Sequence, residues 1–254
     1  MKSSIASRTK ACLVKALTPA LLATAITILG PVSSTGADKG GVRTPNVFPP
    51  GSAPYGKQYS EWSAAWWQWA YSIPADQNPV ADSTGEFSDV GQRGPVFFLA
   101  GNFGGVTVRE CNVPSGKGIL LPLFNVPWVQ FPTDPPYTIP ELRDILGAFA
   151  ANPVLACEID GRAVPNLLDY REQSIVFSVT VPPGNLLGLD PGTYEPCVDE
   201  GYYLMLPPFS PGRHTLHFAA SNSDGSFSLD VTYHLTVLPN PRRGHDGKFQ
   251  VEDR

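Results

Sequence analysis

The chain has 254 residues, 27 Pro and 24 Gly, with 18 Lys+Arg against 23 Asp+Glu. Four of the basic residues (Lys2, Arg8, Lys10, Lys15) and no acidic one precede Asp38, so the remainder holds 14 basic and 23 acidic residues, net −9. Such a surface repels phosphate backbones and anionic lipids, which argues against nucleic acid and peripheral membrane partners.

The first segment has the pattern of a secretory signal peptide over residues 1–37. A basic start leads into the apolar stretch Ala16–Gly30, and Thr35-Gly36-Ala37 offers small residues for cleavage. The stretch is shorter than the ~20 apolar residues of a spanning helix, and no later run is longer, so no membrane span is expected after cleavage. The expected location is secreted or periplasmic. Export favours disulfides, and Cys111, Cys157 and Cys197 remain as candidates. The loop-like surroundings of Cys197 point to a bridge that includes it, with the pairing open.

Residues 38–56, interrupted by Pro45, Pro49, Pro50 and Pro54, read as an irregular lead-in to a single domain over 57–238. Tyr59–Ile73 then predicts a helix. Tyr59, Trp62, Trp66, Trp69 and Ile73 share one face, and Pro74 ends the run. The stripe has the spacing of a core face, while Trp67 lies about 100° away and is the candidate for an exposed ring. Glu61 opens the helix, where a carboxylate favours the N-terminal dipole. Residues 75–94 are turn-rich. Asp76, Asn78, Asp82 and Asp89 are oxygen donors of the kind calcium favours, but their spacing matches no calcium loop and turn geometry accounts for them.

Strands are predicted at Pro95–Ala100, Val106–Val113 and Gly118–Val126, the last two joined by a hairpin-type loop at Pro114–Gly118. The Pro- and aromatic-rich stretch Asn125–Tyr137, with Trp128, could form a groove wall. Thr138-Ile139-Pro140-Glu141 fits a capping box opening a second short helix with Leu142, Ile145, Leu146 and Phe149 on one face. Further strands are Val154–Ile159 before the Asp160-Gly161 turn, Ile175–Val181 and Tyr202–Leu206. A hairpin with arms Arg213–Ala220 and Phe227–Val237 closes the domain. Residues 239–254 are charged and read as a disordered tail. The fold class is therefore mainly β: an antiparallel β-sandwich, immunoglobulin-like or jelly-roll, with two short helices, one of them Trp-rich.

Several segments carry a resemblance. Glu61-Trp62-Ser63-Ala64-Ala65-Trp66-Trp67-Gln68-Trp69, Gly94-Pro95-Val96-Phe97-Phe98-Leu99-Ala100-Gly101 and Pro114-Ser115-Gly116-Lys117 are three of them. The others are Pro211-Gly212-Arg213-His214-Thr215-Leu216-His217-Phe218 and Asp230-Val231-Thr232-Tyr233-His234-Leu235-Thr236-Val237. Together they resemble a family of exported bacterial proteins, which implies export and no particular activity. The ending also resembles the closing strands of bacterial immunoglobulin-like domains, an analogy for fold alone.

Candidate chemistry is sparse. Matching the apolar faces of the terminal hairpin places His217, Asp230, Thr232 and His234 on its outer face. His217, Asp230 and His234 could then form an acid–base or metal cluster, or simply ordinary cross-strand pairs. Gly-x-Ser-x-Gly, His-Glu-x-x-His and the phosphate-binding loop are all absent, and no cofactor or metal is called for. Among carboxylates, Glu61, Glu110, Asp160 and Asp230 are the ones to place. The leading expectation is a non-catalytic exported protein binding a ligand or partner, glycan among the candidates, through aromatic and Pro-rich loops. The ligand-binding candidates are Trp67, Trp128, Glu61, His217, Asp230 and His234. A secreted polysaccharide hydrolase is the alternative and would need converging carboxylates. An envelope structural or assembly component is the third and would need an apolar patch or open sheet edge.

Overall fold

The computed structural model describes residues 44–239. The signal peptide, the first part of the lead-in and the tail beyond Pro239 lie outside the described residues. Ten strands and two α-helices follow one another: α1 Tyr59–Tyr71, β1 Val96–Phe98, β2 Gly105–Pro114, β3 Gly118–Val129, α2 Ile139–Phe149, β4 Val154–Ile159, β5 Arg162–Ala163, β6 Arg171–Gln173, β7 Phe177–Val181, β8 Gly192–Leu206, β9 Gly212–Ser221 and β10 Ser228–Leu238.

The strands form two five-stranded sheets. Sheet 1 runs β1-β3-β8-β6 with β7 also on β8, and sheet 2 runs β2-β10-β9-β4-β5. The expected β-sandwich is present, with two departures from a purely antiparallel scheme: β1 is parallel to β3, and β2 is parallel to β10. The Pro114–Lys117 turn is also no hairpin, because β2 and β3 belong to different sheets and the turn carries the chain across the sandwich.

Three layers result. Between the sheets, Leu121, Leu123 and Leu204 from sheet 1 meet Leu216, Phe218, Val231 and Tyr233 from sheet 2. On the other face of sheet 1, α1 lays Trp62, Trp66 and Trp69 against Phe98, Leu120, Val179 and Met205. Sheet 1 is therefore covered on both sides. That explains why β3 is apolar almost throughout and why Cys197–Leu206 of β8 is wholly buried. Strands β9 and β10 alternate instead, because the outer face of sheet 2 meets solvent.

Local signals set the ends of these elements. The backbone N–H of Gln58 donates to Glu61 Oε2 (2.8 Å) at the start of α1, and the Thr138 N–H donates to Glu141 Oε2 (2.8 Å) at the start of α2. The β4–β5 turn has Asp160 and Gly161 both at positive φ (51° and 71°), the conformation that two-residue hairpins favour. The lead-in is tied down as well, since the Phe48 N–H donates to the Met205 carbonyl (2.9 Å). Among the described residues no helix is long and apolar enough to cross a membrane.

Candidate functional site

All four α1 tryptophans are buried, including Trp67 at 9 % exposure, which corrects its expected role as an exposed ring. Each indole N–H has an acceptor. Trp62 donates to Pro54 O (2.9 Å), Trp66 to Leu99 O (2.8 Å), Trp69 to Val90 O (2.9 Å) and Trp67 to Asp199 Oδ1 (2.7 Å). Trp67 points at sheet 1 because β8 presents it with an acceptor, a signal that helical periodicity does not contain. The Tyr203 hydroxyl donates to Asp199 Oδ2 (2.7 Å) and accepts from Asn125 Nδ2 (3.1 Å). Among the described residues no cation is bonded to this fully buried carboxyl. Burial pushes its pKa up to about 7 against the pull of the Tyr203, Trp67 and Ser63 hydrogen bonds.

The other predicted residues are scattered. Glu61 caps α1. Trp128 is half-buried at the end of β3, edge-on to Tyr137 at 5.4 Å. On the outer face of sheet 2, His217 Nε2 lies 3.0 Å from Asp230 Oδ1. His234 sits on the same strand, opposite Thr215 of β9 and Glu110 of β2, and the contact that the cluster shows is the His217–Asp230 pair. In the 75–94 stretch, Asp82 spends its oxygens on the Thr84 and Phe87 N–H groups, and Asn78 bonds Ala70, Ile73 and Val80 backbone. Among the described residues no three His, Cys, Asp or Glu side chains are placed to hold a metal ion.

The disulfide expectation is also corrected, because all three cysteines are free and buried. Cys111 on β2 and Cys157 on β4 are separated by β10 and β9, about 14 Å at the ordinary strand spacing. A disulfide needs Cα atoms within about 7 Å. Cys197 faces α1 on the far side of sheet 1, inside a strand rather than the expected loop.

Two clusters were not anticipated. In the first, His214 Nδ1 lies 2.8 Å from Asp160 Oδ2, and Ser210 Oγ lies 3.5 Å from His214 Nε2. The order Ser, His, Asp is that of a hydrolytic triad. The Nε2 atom, however, is 2.9 Å from the Ser210 backbone carbonyl, which only accepts. In this arrangement Nε2 directs a proton at the carbonyl, and the Ser210 hydroxyl at 3.5 Å is the more distant of its two contacts, so the trio is not set as a nucleophile and base. Asp160 stands at a turn, where its residue type has a local reason, and residues 54 apart in sequence give no sign of pairing.

The second cluster is a cleft of about 550 Å³ where α2 meets β6, lined by Arg143, Asp144, Gly147, Arg171, Glu172, Gln173 and Glu200. Glu200 is only 3 % exposed. Its Oε1 accepts from Arg171 Nε (2.7 Å) and its Oε2 from Gln173 Nε2 (3.2 Å), while Arg171 Nη2 also reaches Gly147 O (2.9 Å). Arg143 Nη2 donates to Ser174 O (2.8 Å), and its Nη1 is buried without a partner. The absence of a side chain at Gly147 makes the close approach possible, since a Cβ there would lie 3.3 Å from Glu200 Oε2. Burial holds the Glu172 carboxyl above the usual range. Glu172 and Glu200 do not converge, however. Gln173 pairs with Glu200, so the adjacent Glu172 leaves the opposite face of β6, where its charge acts on Tyr59 of α1.

No family model, curated protein or solved structure matches the chain.

Proposed function

We propose that the protein is an exported β-sandwich that binds a polar, hydroxyl-rich ligand such as a glycan in the α2–β6 cleft. The observation that carries this reading is the fixed set of donors and acceptors there. The buried Glu200 carboxylate orients the exposed Arg171 and Gln173 side chains through their hydrogen bonds, and Asp144 stands exposed beside them on a capped helix. Sugar hydroxyls donate and accept at once, which suits a wall of alternating carboxylate, guanidinium and amide groups. The aromatic contribution first expected of α1 is spent on the core. What remains is the half-buried pair Trp128 and Tyr137, the latter just before α2. Hydrolysis is the weaker reading, because the half-buried Glu172 and the ion-paired Glu200 lie on opposite faces of the sheet and His214 directs a proton rather than a lone pair toward Ser210.

The test is a glycan array on the mature protein, followed by calorimetry on Asp144→Ala and Gln173→Ala. These changes at the cleft wall leave the core alone. Weakening of any bound glycan by about tenfold supports the site, in line with the loss of one charged hydrogen bond. Binding unaffected by both substitutions, or no glycan bound at all, removes it.

A second reading, an envelope assembly component, is favoured by one observation. Val106 (80 % exposed) on β2 and Val154 (68 %) on β4 leave apolar side chains on the outside of sheet 2. Light scattering on the mature protein decides it, since a monomer up to high concentration argues against self-assembly through that face.

A further inference from the structure

The environment of His214 carries a consequence independent of the cleft. Each of its ring nitrogens lies within 3 Å of a group that can only accept, Asp160 Oδ2 at Nδ1 (2.8 Å) and the Ser210 carbonyl at Nε2 (2.9 Å), while the Ser210 hydroxyl, which could donate, stands farther off at 3.5 Å. A neutral imidazole has one N–H and can serve only one of them, whereas the imidazolium serves both. The Phe209 ring lies 4.8 Å from the His214 ring, within the range at which a cation gains from an aromatic neighbour.

We infer that His214 is a proton-operated latch that, when charged, ties the β8–β9 connection (Pro207–Pro211) to the β4–β5 turn, and that loses one of its two bonds when the ring becomes neutral. The parts on either side are fixed. The Asp160 N–H donates to the Thr215 carbonyl (2.8 Å) and the Thr215 N–H to Asp160 Oδ1 (2.9 Å), so the turn stays on β9 whatever the ring does. The exposed Ser210 has no comparable anchor, and its carbonyl is the bond at risk.

The neighbouring groups can be named element by element. The β4–β5 turn supplies Asp160, the charge that acts on the ring. The connection supplies the Ser210 carbonyl and Phe209. Strand β10 places apolar Leu235 opposite, and Arg213 on β9 points to the other face by strand alternation. Burial works against the charged ring, but the bonds to Asp160 and Ser210 outweigh it and hold the pKa above the ordinary histidine value. Stability from the latch is therefore full below about 6.5, the unfolded value, and is lost as pH rises through the folded one.

The experiment is ¹⁵N NMR of the wild-type protein at pH 5.5 and 8.5 with amide exchange at both. The expected result has two parts. His214 shows both ring N–H groups at pH 5.5, with a midpoint above 6.5. The protection factor of the Ser210–Arg213 amides falls about tenfold at pH 8.5 relative to β10, the scale of one charge-assisted hydrogen bond. Asp160→Asn lowers the midpoint. A single neutral tautomer at pH 5.5, unchanged protection, or an unmoved midpoint in the variant overturns the latch.

Discussion

Replacing Asp199 by Asn isolates the most unusual group in the fold, a buried carboxyl bonded to Trp67 and Tyr203 with no cation bonded to it among the described residues. Its pKa stands near 7 because burial disfavours the charge, against 3.8 for the free side chain. The folded protein thus holds this proton more tightly than the unfolded chain does. Below about pH 3.8 both states are protonated and stability is full. As pH rises toward 7 the unfolded chain releases its proton first, and stability falls by about 1.4 kcal/mol per unit. Over roughly three units the loss is about 4 kcal/mol, an order-of-magnitude figure, and above pH 7 it levels off. An asparagine can still accept from the Trp67 N–H and donate to the Tyr203 oxygen, so shape is kept and titration removed. Urea unfolding followed by tryptophan emission, at pH values from 4 to 8, gives the difference between wild type and Asp199→Asn. Contributions from other titrating groups cancel in that difference. The wild type should lose ground to the variant across this window. A flat difference, or wild type gaining on the variant with rising pH, refutes the reasoning.

Three further outcomes are expected. Trp66→Phe, at a fully buried ring, leaves the Leu99 carbonyl unpaired and a space beside Trp67 and Trp69, and should cost about 2–3 kcal/mol in denaturant melts. Gly201→Ala places a Cβ 2.6 Å from both Asn125 Cβ and the Phe124 carbonyl in the β3–β8 ladder. It should destabilise by about 1–3 kcal/mol by the same assay, because backbone must move to admit it. A chain beginning at Asp38, which leaves out Cys12, should titrate three thiols in denaturant and resist modification when native. All three thiols are buried, and their pKa values are pushed up to about 11 for Cys111 and about 12 for Cys157 and Cys197. Fewer than three in denaturant would mean a disulfide.

Much of the fold was written in local pattern. The period-three stripe of α1, the Thr138–Glu141 box of α2, the Asp160-Gly161 turn and the alternation of β9 and β10 each depend on residues close in sequence. What escaped was non-local. The first part of β8 (Gly192–Gly201) contains Glu195, Asp199 and Glu200 and does not look like a strand, because Asp199 and Glu200 find partners in Trp67 and Arg171 from distant segments. Periodicity also cannot say to which sheet a strand belongs, so β2 and β3 were joined as a hairpin. The cleft was invisible for the same reason. Its residues come from α2, β6 and β8, none carries a motif, and only the fold puts Glu200 under Gly147. The outer-face pair His217 and Asp230 was readable because hairpin register is set by apolar alternation.

The indole-bearing helix forms a third layer of the core and closes its four rings off from solvent. Exchange of the five indole N–H protons, followed by NMR in heavy water, tests it most directly. Trp62, Trp66, Trp67 and Trp69 should exchange as slowly as the interior amides of β3 and β8, while Trp128, bonded only to the Gln130 side chain, exchanges early. Trp67 exchanging as fast as Trp128 would place its ring at the surface, outside the third layer.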